Sequence, residues 1–171
     1  MAHPAQQNFC KYVKSKFPSH FTDKTILDVG SLDINGNNRY LFENCEYTGL
    51  DLCEGKNVDV VCHLLDYRPD KAFDVVISTE AIEHDSKWDL TLARMTQYLQ
   101  SNGLLILTCA TGLRAPHGVY KHNPTDSPKT NNWYRNLDIY DLLSAIDFGG
   151  QFKHFEIEST DKDLYLWGVK K

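Results

Sequence analysis

Thr25-Ile26-Leu27-Asp28-Val29-Gly30-Ser31 decides the reading of this chain. Its apolar residues run into an acid and then a glycine, as in a strand that ends abruptly at a turn. A Gly/Asn-rich loop containing Asn35-Gly36 follows, up to about residue 38. Gly30 can turn sharply and lets the backbone approach a ligand without a Cβ in the way. A second strand, Tyr47-Thr48-Gly49-Leu50-Asp51-Leu52, ends with Asp51 lying 23 positions after Asp28. That separation is close to the offset of about 20 residues at which an acid grips a ribose hydroxyl in nucleotide sites. Taken alone, the loop reads equally as a plain turn with Asp51 capping a strand.

The rest of the chain sets the context. Phe9, Val13 and Phe17 recur at helical spacing before Pro18, and the first eight residues are expected to be loose. Val58-Asp59-Val60-Val61-Cys62 reads as a third strand. Only residues 53–57 precede it, so it is expected to be short and reached by an extended loop. Phe73-Asp74-Val75-Val76-Ile77-Ser78 is nearly continuous in apolar residues, as a strand buried on both faces should be. Trp88, Leu92, Met95 and Leu99 mark one side of a helix that Asp85 or Ser86 can cap and Gly103 closes. Strand 104–109 follows, then a polar stretch over 111–135. Ile139, Leu142, Leu143 and Ile146 trace a further helix ending at Gly149-Gly150. Strands at 152–158 and 164–169 are separated by about five polar residues and form a hairpin. The fold class is therefore α/β: a mostly parallel seven-stranded sheet with helices on both faces and an antiparallel C-terminal strand. No linker or repeat divides residues 1–171, so one domain is expected.

Composition narrows the partners. Hydrophobic residues make up 42% and charged residues 24%, ordinary for a globular domain. No apolar run reaches the roughly 20 residues of a membrane span. The N-terminal stretch lacks the basic and then apolar order of a signal peptide. Five scattered cysteines with no Cys-x-x-Cys pair read as free thiols of a reducing compartment, so a cytoplasmic location is expected. A net charge of −5 disfavours nucleic acid as the partner and tolerates a cationic ligand.

In this setting the pattern resembles the class I S-adenosylmethionine-dependent methyltransferase family, with its Rossmann-like fold. The resemblance implies that Asp28, Gly30, Ser31 and Gly36 hold the amino acid part of S-adenosylmethionine. Asp51 and its neighbour Leu52 would hold the ribose hydroxyls. His63-Leu64-Leu65-Asp66 looks like the third element, with Asp66 accepting from the adenine amino group. The run from Phe73 through Thr79-Glu80-Ala81-Ile82-Glu83-His84 is similar to the family's fourth strand and its Glu…Glu-His turn, which adds Thr79 and Glu80 to the cofactor residues. The spacing of Gly30 and Gly36 is wider than the family's usual loop. The fit is closest to small methyltransferase-like proteins with a Gly-Ser…Asn-Gly loop, which also resemble this chain at His117-Gly118, Asp126-Ser127-Pro128 and Trp133-Tyr134-Arg135.

A sulfonium donor already carries an activated methyl group, so the protein must chiefly hold donor and acceptor in line, about 3–3.5 Å apart. Acceptors that need deprotonation require a base, and His84 and His117 are the candidates for it. Each can equally be a surface or structural histidine. Asp126, Trp133, Tyr134 and Arg135 are the candidates for substrate contact, against a bland reading as a helix entry packed on the core. Residues 111–132 are expected to close over the acceptor pocket. No acid or thiol clusters around His117 and His122 at ligand spacing, so no metal site is expected. The acceptor is expected to be a small molecule or sugar-like group; Ser78-Thr79-Glu80-Ala81 lacks the Pro-Pro-aromatic turn of the family's adenine and glutamine N-methylating members, which with the acidic balance disfavours nucleic acid. Two alternatives stay open: a catalytically silent binding module on the same fold, and a nicotinamide-dependent oxidoreductase. Oligomeric state is not legible.

Overall fold

In the computed structural model, which describes residues 3–171, seven strands form one sheet in the order β3-β2-β1-β4-β5-β7-β6. They are β1 (Thr25–Val29), β2 (Glu46–Asp51), β3 (Val60–Val61), β4 (Phe73–Thr79), β5 (Leu99–Ala110), β6 (Phe152–Ser159) and β7 (Asp163–Lys170). The pairs β1–β2, β1–β4, β2–β3 and β4–β5 are parallel. β7 inserts between β5 and β6 and runs antiparallel to both. The expected sheet and its terminal hairpin are present.

The period-2 alternation of the strands divides their side chains between two cores. Leu27, Val76, Leu105 and Leu107 face one side, where they pack with Leu92 and Met95 of α2 (Trp88–Tyr98) and Leu142 of α3 (Ile139–Ala145). Ile26, Val75, Ile77, Leu104 and Ile106 face the other, against Cys10 and Val13 of α1 (Pro4–Lys16). Strands covered on both faces must be apolar throughout, which is why β4 and β5 read as continuous hydrophobic runs.

Three local expectations are corrected. The N-terminal segment is ordered from Pro4, where α1 begins. A proline suits a first helical position because its missing N–H has no helical partner there. Gln6 is buried and donates to Asn38 Oδ1 at 3.2 Å, which ties the segment down; residues 1 and 2 of the expected loose stretch lie outside the described residues. Gly103 does not close a helix. α2 stops at Tyr98, and β5 starts at Leu99 with an irregularity opposite Phe73 and Val75. Gly103 sits in that irregularity, where a Cβ would lie 2.8 Å from the Gln100 carbonyl oxygen. Similarly, α3 ends at Ala145, and Gly149-Gly150 fall within the separate short helix α4 (Phe148–Gln151). The short third strand is as expected, with two residues.

Candidate active site

β1 lies between β2 and β4, and the chain order reverses there. Ligands of open parallel sheets bind at the carboxyl ends of the strands beside such a reversal. A cavity of about 330 Å³ opens at this place. Its walls come from the β1 loop, the ends of β2 and β4, residues 62–64, the start of α2, and residues 126–131.

Asp28 is buried at the end of β1 and lines the cavity. Its Oδ2 accepts from Tyr47 Oη at 2.7 Å and from Asn57 Nδ2 at 3.3 Å. Burial pushes the Asp28 carboxyl up to about 6, against the opposing pull of these two hydrogen bonds. Gly30 has φ +79°, and a Cβ there would run into the Ala81 side chain. The N–H groups of Gly30 and Ser31 both donate to the Leu50 carbonyl, at 2.8 and 3.0 Å. Ser31 Oγ is buried and has no hydrogen-bond partner among the described residues, so the cavity wall holds an unanswered polar atom. Further along the loop, Asp33 accepts from Gly36 N at 2.6 Å and Asn37 Nδ2 at 2.8 Å, and Lys56 faces it at 2.7 Å. Buried Asn38 donates to Thr79 Oγ1 at 3.1 Å and so fastens the loop to β4.

Asp51 Oδ2 accepts from Leu32 N at 3.1 Å and Oδ1 from Cys53 N at 3.0 Å. These bonds fix the carboxylate at the cavity edge beside Leu52, whose carbonyl accepts from Lys129 Nζ at 3.3 Å. Asp66 is exposed in a turn and does not line the cavity; its neighbours Cys62, His63 and Leu64 do. His63 Nε2 lies 3.2 Å from Asp85 Oδ2, and that carboxylate raises its pKa.

The turn after β4 is strained. Glu80 has φ +54°, an uncommon conformation for a residue with a Cβ and one that gathers at functional sites. It is buried, receives Thr108 Oγ1 at 2.9 Å and pairs with Arg114 Nη2 at 3.0 Å. Burial would raise its carboxyl, but hydrogen bonds from His3 and Thr108 hold it below the ordinary range. Glu83 is fully buried, and burial together with the Glu80 charge pushes its carboxyl up to about 8. His84 is buried too, and desolvation, then the neighbouring His117, push it down to about 3. Both rings are depressed, since burial also lowers His117. His84, His117 and Tyr134 form a ring cluster with centroids 4.9–5.3 Å apart. Only His84 of the three lines the cavity.

The expected substrate residues divide. Asp126 lines the cavity with Ser127, Pro128 and Lys129. Trp133, 38% exposed, and Arg135 do not. Arg135 Nη2 pairs with Asp141 Oδ1 at 2.6 Å, and its guanidinium lies 5.6 Å from the Trp88 ring centroid. It therefore anchors the entry to α3, the bland reading of this motif. Asn57, His63, Ala81 and Lys129 were missed by sequence reasoning. Asn57 and Lys129 take positive φ, a conformation that a single sequence does not reveal for residues other than glycine.

Residues 27–107 match the family described as Methyltransferase domain. The chain is 27% identical over 134 residues to (S)-coclaurine N-methyltransferase of Papaver somniferum, a match covering 66% of this chain. The chain spans only 35% of that relative. Among solved structures, it is similar to the N-terminal domain of EvdMO1 in the presence of SAH and D-fucose (TM-score 0.68, 15% identity, 100% of this chain and 85% of the other). It is also similar to the [4+2]-cyclase SpnF (TM-score 0.64, 13% identity, 96% and 81% covered). Over residues 27–107 the chain is thus similar to the methyltransferase domain family, and its fold is consistent with the class I S-adenosylmethionine-dependent methyltransferases it resembles in sequence.

Proposed function

We propose that this chain binds S-adenosylmethionine in the β1–β4 cavity and transfers its methyl group to a small-molecule or sugar-like acceptor. The observation that carries this reading is the convergence of Asp28, Ser31 and Asp51 on one cavity at the reversal of strand order. Asp28 and the unanswered Ser31 hydroxyl suit the ammonium and carboxylate end of the cofactor. The fixed Asp51 carboxylate suits two vicinal ribose hydroxyls, and Cys62 and Leu64 supply an apolar wall for the base. Asp66, turned outward, has no part in this arrangement. The cofactor supplies a methyl group on a positively charged sulfur.

The protein's own work is placement and dehydration. Residues 126–131 supply part of the cavity wall and would exclude water as the acceptor binds. Buried, neutral His84 faces the cavity and can orient the acceptor or take its proton at a ring nitrogen. His117 and Tyr134 act through His84 by packing on its ring. Lysine is the only cationic residue type on the cavity wall apart from histidine, and acids outnumber it there, which fits a ligand that carries positive charge. The likeness to EvdMO1, solved with D-fucose, supports a sugar-like acceptor. Five free cysteines, three of them buried, support a reducing compartment.

The loop geometry speaks against a dinucleotide. Its Gly30, Ser31 and Gly36 amides are spent on Leu50 and Asp33 rather than left for a pyrophosphate, and the loop leads into a single turn at Arg39–Leu41 instead of a long helix. The likeness to SpnF, a cyclase by name, keeps a second reading open, a module on this fold that binds the ligand without transferring its methyl group, since fold alone does not fix chemistry. Calorimetric titration with S-adenosylmethionine and S-adenosylhomocysteine tests the proposal. Micromolar binding is expected, weakened at least tenfold in Asp51→Ala as a charge-assisted hydrogen-bond pair is lost. Silence of both ligands refutes it. Binding without turnover on any acceptor favours the second reading.

A further inference from the structure

His84 belongs to a cluster that cofactor binding leaves unused. Glu83, His84 and His117 each offer one ligand atom, and these atoms lie within 4.8 Å of one another. Two of the three side chains are enclosed, Glu83 being 0% and His84 6% exposed. Each carries an unanswered atom: Oε2 of Glu83 and Nδ1 of His84 have no hydrogen-bond partner among the described residues. Native interiors leave few such atoms, and an absent ion or water is a standard explanation for them.

The surroundings match those of metal ligands. A ligating histidine normally hands its second ring N–H to a carboxylate or backbone carbonyl, which fixes the tautomer. His117 Nδ1 lies 3.2 Å from the Ala115 carbonyl oxygen, which leaves Nε2 with a free lone pair. His84 Nδ1 stays unpaired among the described residues. Gly118 keeps the space narrow, since a Cβ there would lie 2.9 Å from His84 Cε1. A second cluster, His3, Glu80 and Asp163, offers a contrast. There Arg114 Nη2 already stands 3.0 Å from Glu80 and 2.6 Å from Asp163, so a fixed cation fills the position.

We propose that Glu83, His84 and His117 bind a divalent transition-metal ion of the zinc class. Two imidazoles and one carboxylate suit such ions and leave a coordination position open, as in reactive rather than structural zinc sites. Because His84 also lines the cavity, the ion sits at its edge, where an oxygen or nitrogen of the acceptor can take the open position. His84 then acts on the acceptor through the ion rather than as a free base. That role rests on the methyl-transfer reading; ion binding itself does not.

The test uses the full chain, stripped of metal by chelation and titrated with Co²⁺ as a visible probe for Zn²⁺. One equivalent should bind and give the d–d absorption of a four- or five-coordinate site, without thiolate charge transfer, and Zn²⁺ should displace it. Glu83→Gln and His117→Ala should each weaken binding at least tenfold, about the least that loss of a site-building group costs. Circular dichroism checks that both variants fold. If either does not, NMR of the wild type decides: one equivalent of Co²⁺ must broaden the His84 and His117 ring signals. Failure to bind Co²⁺ below millimolar concentration, undiminished binding in both folded variants, or broadening confined to other histidines overturns the site. A parallel titration with S-adenosylhomocysteine separates the two claims. Binding of that ligand but not of Co²⁺ refutes the metal site alone, and the converse refutes the cofactor reading alone.

Discussion

Replacing Asp28 by Asn should stabilise the protein and cripple ligand binding at once. The carboxyl is buried at the end of β1, and its ordinary value of 3.8 rises to about 6, chiefly through desolvation. Between those two values the folded state keeps a proton that the unfolded chain has released. Stability therefore falls as the pH rises through this window and stays lowered above it. At about 1.4 kcal/mol per pH unit, the ionised side chain costs about 3 kcal/mol at pH 7. Asp28→Asn removes the charge but keeps an oxygen that can accept from Tyr47 and Asn57. The variant should gain up to about 3 kcal/mol at pH 7, or roughly 6–12 °C in Tm for a chain of this size. The gap should close as the pH falls towards 4. Thermal unfolding of both proteins from pH 4 to pH 8, followed by circular dichroism, measures it. On the proposed placement of the cofactor's ammonium group beside Asp28, the same variant should bind S-adenosylmethionine roughly 10- to 100-fold more weakly, because a neutral amide replaces a charged carboxylate. A variant less stable than wild type at pH 7, or a gap that does not change with pH, would refute the reasoning.

Other substitutions separate the site from its scaffold. Gly30→Ala forces a side chain into a φ of +79° and into Ala81, so it should destabilise by roughly 2–4 kcal/mol and abolish cofactor binding, as chemical denaturation and calorimetry will report. Arg135→Ala should leave cofactor affinity and acceptor KM unchanged and cost no more than about 1 kcal/mol, because its partner is Asp141 at the surface of α3. A raised KM would restore Arg135 to the substrate site.

The strands were legible because a strand covered on both faces has little choice of residue. Val75, Val76 and Ile77 face opposite cores yet are all apolar, and β4 announces itself without a partner. The place of Asp28 and Asp51 on the cavity wall was legible for a related reason, since an acid at the end of an apolar run sits at the carboxyl edge of the sheet. The start of α1 was not, because it is fixed by Gln6 reaching Asn38, a contact spanning 32 residues. Gly103 misled, because a glycine after a helical pattern looks the same whether it ends the helix or relieves crowding in an irregular strand. Asp66 was placed by analogy with a family pattern, while the local turn points it to solvent. The Glu83, His84 and His117 cluster was hidden by sequence separation. Glu83 and His84 come from the turn after β4, and His117 from a loop beyond β5.

The placement of unfavourable groups completes the argument. The cores on both faces of the sheet are filled by apolar side chains, apart from a few hydrogen-bonded groups such as Gln6 and Ser78. Among carboxyls and histidines, the groups that burial disturbs most stand elsewhere, at the ends of β1 and β4. Asp28 is held near 6, Glu83 near 8 and His84 near 3, each displaced first by desolvation towards its neutral form. Glu80, between them, occupies a strained backbone conformation. Replacing such groups with apolar ones would raise stability, so their presence calls for a gain outside the isolated fold. Perturbed carboxyls and histidines gathered at one cleft are the mark of a site that acts on a ligand. A scaffold kept only for its shape would have no use for a buried, half-satisfied Glu83 beside two neutral imidazoles. That argument favours an active centre over a silent binding module, and it makes turnover on an acceptor, rather than cofactor affinity alone, the measurement on which the two readings part.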